Sequence, residues 1–101
     1  MIDDGWDALQ QRVVRKLEEL WPVVSKLDGV RQHVLIHMAL GMGVKRLLAM
    51  QRFVAAVEFH FWRTAAEEML ISQWATRDKG GATRMAVMML TGRSDSLVLS
   101  H

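Results

Sequence analysis

The residues best suited to chemistry stand together in "HVLIHMALGMG", residues 33 to 43. His33 and His37 are four apart, about one helical turn, so both imidazoles project from one face, as two metal ligands on one helix must. A closed site needs one or two further donors, and His60, Glu58, Glu67 and Glu68 are the side chains that could supply them. Against a metal, no helix carries the Glu-x-x-His spacing of di-iron carboxylate bundles. "HVLIH" also lacks the glutamate that a zinc protease places after its first histidine. Met38 and Met42 carry thioethers that suit Cu(I), but they sit roughly 100° or more around the helix from the histidines. The pair therefore reads first as surface or interface histidines. No metal or cofactor is expected, with His33 and His37 the candidate ligands of any that binds.

Other catalytic patterns are missing. Without cysteine there is no thiolate nucleophile, no disulfide framework and no cysteine-based zinc site. Gly80-Gly81 is not followed by the Gly-Lys-Ser/Thr of a phosphate loop. Glu67 and Glu68 are adjacent and point about 100° apart on a helix, so they do not face each other as a working pair. The expectation is a protein that is not an enzyme.

These residues need a scaffold, and 101 residues make a single domain. Half are apolar, with eight Met, four Trp, three Phe and no Tyr; one proline argues against a loop-rich all-β chain. Thirteen basic and eleven acidic residues leave a net charge of +2, interspersed in sign, which is slight support for a nucleic-acid or membrane partner. "MIDDGWD" is acidic where a signal peptide is basic, and the uncharged run Gln32–Val44 is too short to span a bilayer. A soluble, cytoplasmic protein is expected.

Apolar residues at Trp6, Leu9, Val13, Leu17, Leu20, Val24 and Leu27 form one helical stripe, with Asp3 or Asp4 able to cap its start. Pro22 should break it near Glu19 to Trp21. Asp28 can cap a second helix over Val30–Leu40, and Gly41 and Gly43 should bend the chain rather than join two helices into a rod. From Val44 to Thr76 no glycine or proline intervenes, which predicts a long helix that is apolar around most of its circumference. A short helix over 82–90 and a tail over 91–101 complete the chain as peripheral pieces. The fold expected is all-α, a bundle of three to four helices, with the long central helix buried on its second side by another copy. That arrangement is a homodimer.

The corresponding function is protein interaction by an adaptor, regulatory or inhibitory subunit. Trp62, Trp74, Met85, Met88 and Met89 are the expected partner contacts, because aromatic and thioether side chains dominate buried interface cores. The alternative is a nucleic-acid-binding regulator using Arg77, Lys79, Arg84 and Arg93, a basic cluster around the last loop and helix.

Overall fold

The computed structural model describes residues 2–77 and 79–94, and the side chains among them from Ala8 onward. Trp6, Asp78, Asp95 and the Leu97-Val98-Leu99 run lie outside the described side chains. All-α is correct: every regular element among the described residues is helical. None of these helices is long and apolar enough to cross a membrane.

Helix α1 spans Ile2–Leu20, which places Asp3 and Asp4 inside its first turn rather than ahead of it. It stops where Pro22 forbids continuation, and a 3-10 turn over Pro22–Lys26 follows. The stripe carries through the break only in part: Leu17, Val24 and Leu27 are buried, joined by Trp21, whereas Leu9 and Leu20 are exposed. The backbone N–H of Trp21 donates to the carbonyl of Leu17 at 2.8 Å. Its indole Nε1 donates to Glu58 at 2.8 Å, tying the break to a segment 37 residues away.

Helix α2 spans Gly29–Met42, and the Asp28 carboxylate accepts the Arg31 backbone N–H at 3.1 Å as the expected cap. It buries Val34, Leu35, Met38 and Ala39. Gly43 ends it at φ 94, a conformation that glycine enters at little cost, and the chain bends there. The longest dimension of the molecule is 37 Å, about half the 70 Å of a continuous rod of some 45 residues.

The Val44–Thr76 segment departs from expectation. It forms four helices: α3 (Val44–Ala49), α4 (Gln51–Glu58), α5 (Trp62–Leu70) and α6 (Gln73–Arg77). The breaks fall at Met50, Phe59–Phe61 and Ile71–Ser72, where no glycine or proline announces them. The physical reason is the apolar circumference itself. A single helix would leave much of it in water, whereas folding α4 back on α5 buries Phe53, Val57 and Met69 completely. Each such side chain contributes about 1.5–3 kcal/mol. Against that, the α4–α5 corner places His60 at φ 61, a left-handed conformation costing a non-glycine residue roughly 1–2 kcal/mol. Burial wins. At the next corner the Ser72 hydroxyl donates to the Met69 carbonyl at 2.7 Å, closing α5. The dimer expected through one long helix thereby loses the helix it was to use.

Helix α7 (Lys79–Thr91) begins earlier than expected and includes Gly80 and Gly81. It is central rather than peripheral, packing on α5 more extensively than any other two helices pack together. Ala82, Met85, Ala86, Met88 and Met89 are buried there. Gly92, at φ 70, caps its end by donating its N–H to the Met88 carbonyl at 2.8 Å.

Candidate binding groove

The bend at Gly43 and the corner at Ile71–Ser72 bring the end of α2, helix α3, the start of α4 and helix α6 around one groove of about 550 Å3. That volume is in the range of ligand sites. Met42, Met50 and Trp74 give it an apolar lining, and Ile71 stands at it with 75% of its surface exposed. Trp74 packs closely over Gly41, where a Cβ would lie 3.2 Å from the indole nitrogen, a tight contact. The two glycines thus differ: Gly43 bends the chain, and Gly41 lies within α2 against the Trp74 ring.

Three arginines line this groove, Arg46 from α3, Arg52 from α4 and Arg77 from α6, against one carboxylate, Glu68. Arg52 pairs with Glu68 at 3.2 Å, but its side chain is 82% exposed, so the pair is solvent-screened and weak. Among the described residues neither Arg46 nor Arg77 is in an ion pair. The groove therefore joins an apolar lining to excess positive charge.

Two of the residues expected as contacts, Trp74 for a protein partner and Arg77 for nucleic acid, both line this groove. The others are elsewhere. Trp62 is half-buried beneath the Arg31 guanidinium, whose carbon lies 4.0 Å from the ring centroid. Met85, Met88 and Met89 are not an exposed arc: they are 8%, 5% and 0% exposed, because α7 turns that face into the core. The basic residues do not form one patch. Arg84 shares a hollow with His33, while Lys79 and Arg93 flank opposite ends of α7, about 20 Å apart along its axis.

His33 and His37 are both exposed, with ring centroids 6.4 Å apart, and His37 meets Trp74 edge-on at 6.3 Å. The bend does not bring the proposed third ligands to them. Glu58 holds the Trp21 indole, His60 stacks on Trp62 at 4.9 Å, Glu67 faces Arg63, and Glu68 pairs with Arg52. Among the described residues no group of three or more potential ligands could hold a metal.

Nothing in the sequence marks Arg46, Met50, Arg52 and Gln73 as one site. Their common position depends on the corners at Met50 and Ile71–Ser72, which carry no glycine or proline. Arg31 is unmarked as well. Its Nε donates to the Met89 carbonyl at 2.6 Å and its Nη2 to the Leu90 carbonyl at 3.0 Å, while Nη1 pairs with Asp28 at 3.2 Å.

No protein-family profile matches the chain. No solved structure matches it either. The chain is similar to the pre-baseplate central spike protein Gp5 of Enterobacteria phage T4, at 29% identity over 89 residues. The similarity covers 88% of this chain but 16% of that protein, so the chain spans less than a fifth of its relative's length.

Proposed function

We propose that this chain is a non-enzymatic helical binding module whose working surface is the arginine-lined groove and whose ligand is an acidic segment of a protein partner. The observation that carries this reading is the convergence of Arg46, Arg52 and Arg77 with Trp74 on one groove. Carboxylates form charge-assisted, often bidentate bonds to arginine, and the Trp74–Met50 lining accepts an apolar side chain beside them. The likeness to a central spike protein supports a place within a larger structural assembly.

The test is fluorescence anisotropy with a labelled oligoglutamate peptide containing one leucine. Binding is expected to weaken as salt rises. Arg46→Ala and Arg77→Ala should each lower affinity about fivefold, roughly 1 kcal/mol, without changing the unfolding midpoint. Tighter binding of an oligonucleotide of equal charge would transfer the groove to nucleic acid. Failure of both probes to bind removes the proposal.

A second reading is a homodimer, favoured by one observation at the α4–α5 corner. Phe59 and Phe61 stack with centroids 6.0 Å apart while 69% and 60% exposed, an apolar tip that nothing in the chain covers among the described residues. Sedimentation velocity should show concentration-dependent association that the double variant Phe59→Ser/Phe61→Ser abolishes. A wild-type monomer at high micromolar concentration contradicts it.

A further inference from the structure

Given the groove as the working surface, we propose that the acidic segment it takes is the start of helix α1 from a second copy of this chain. Residues 2–11, IDDGWDALQQ, carry Asp3, Asp4 and Asp7 and no basic residue. The whole chain has a net charge of +2, so the remainder carries +5 against their −3. Helical spacing of about 100° per residue sets the three acidic positions on one side of α1 and Ile2, Trp6 and Leu9 on the adjoining side. An acidic face beside an apolar one is the complement of the groove, where Arg46, Arg52 and Arg77 stand beside Met42, Met50 and Trp74.

Two further observations favour this occupant. Among the described residues, the first half of α1 has little cover of its own: Ala8, Leu9 and Gln11 are exposed, Leu9 at 45%, and burial on this helix is reached only at Leu17. An apolar stripe that runs on past the core is a surface for another body. The other acids are engaged within the chain. Asp28 pairs with Arg31, Glu58 holds the Trp21 indole, Glu67 faces Arg63 and Glu68 pairs with Arg52. Glu18 and Glu19 each follow a base, Arg15 and Lys16, by one helical turn, whereas Asp3, Asp4 and Asp7 have no base before Arg12. The groove and the α1 start are different patches, so each contact leaves one groove and one α1 start for further copies, and the copies join head to tail. Acids in a first turn also stabilise their own helix, so association rather than folding is the property to measure.

The experiment is sedimentation velocity of the full chain at low and high salt. Association should rise with concentration and weaken about tenfold as salt screens the charges. The variant Asp3→Asn/Asp4→Asn/Asp7→Asn and, separately, Arg46→Ala/Arg77→Ala should each weaken it about tenfold, with helical content retained by circular dichroism. Mixed together, the two variants should pair again, because one keeps the groove and the other keeps the acidic start, and growth should stop at that pair. The asparagine variant should bind the oligoglutamate peptide at least as well as the wild type. Three results overturn the head-to-tail contact: wild-type association in the asparagine variant, a mixture that does not pair, or association that survives high salt and is lost in Phe59→Ser/Phe61→Ser. A wild-type chain that binds oligoglutamate yet stays monomeric at high micromolar concentration also overturns it, while leaving the groove's ligand class intact. Absence of both association and peptide binding removes both.

Discussion

Arg31→Ala is expected to destabilise the protein by about 3 kcal/mol, combining hydrogen bonds to a charged group with loss of a cation–π contact. The side chain joins three helices. It pairs with Asp28 at the start of α2, donates to the Met89 and Leu90 carbonyls in the last turn of α7, and stacks on Trp62 at the start of α5. Those two carbonyls are among the four that every helix C-terminus leaves without an intrahelical partner, and a cation there also suits the negative end of the helix dipole. The arginine is 12% exposed, so its bonds are less screened than those of a surface pair. A loss of this size lowers the melting temperature of a domain this small by roughly 12–20 °C, measured by circular dichroism. Arg31→Lys should recover less than half of it, because an ammonium cannot reproduce the planar fork or the stacking.

The second large effect separates the broken helix from the continuous one. Phe53 is fully buried between α4 and its neighbours, and Phe53→Ala should cost about 3–5 kcal/mol in urea denaturation, from lost burial and the cavity left behind. For a domain whose total stability is of order 5–15 kcal/mol, that is a large share. Phe59→Ala, six residues later and exposed, should change stability by no more than about 0.5 kcal/mol. Equal and small effects at both positions would mean that α4 does not fold back on α5.

The contrast between these residues shows what the sequence discloses. Breaks made by backbone chemistry were legible: Pro22 stops α1, Asp28 caps α2, and Gly43 turns the chain, each by a local rule. Breaks made by tertiary packing were not. Met50, His60 and Ser72 interrupt a pattern that helical periodicity reads as continuous, and only the burial gained by folding back accounts for them. The broad apolar circumference of residues 44–76 is legible in the sequence, whereas the fold that buries Phe53, Val57 and Met69 within the chain itself is not. The methionines of α7 were misplaced for a related reason: a helix that follows a Gly-Gly pair resembles an appendage until its packing on α5 is known. The groove was legible only in fragments. Trp74 and Arg77 stood out individually, whereas Arg46 and Arg52 reach them through corners that carry no sequence mark.

The most direct test of the groove as working surface is a 1H–15N NMR titration of the labelled chain with the oligoglutamate peptide. Shifts should concentrate on the Trp74 indole, Arg46, Met50, Gln73 and Arg77, and leave Leu90, Arg93 and the Phe59–Phe61 corner unmoved. Shifts centred on α7 or spread evenly over the surface, with the Trp74 indole unperturbed, would contradict the account.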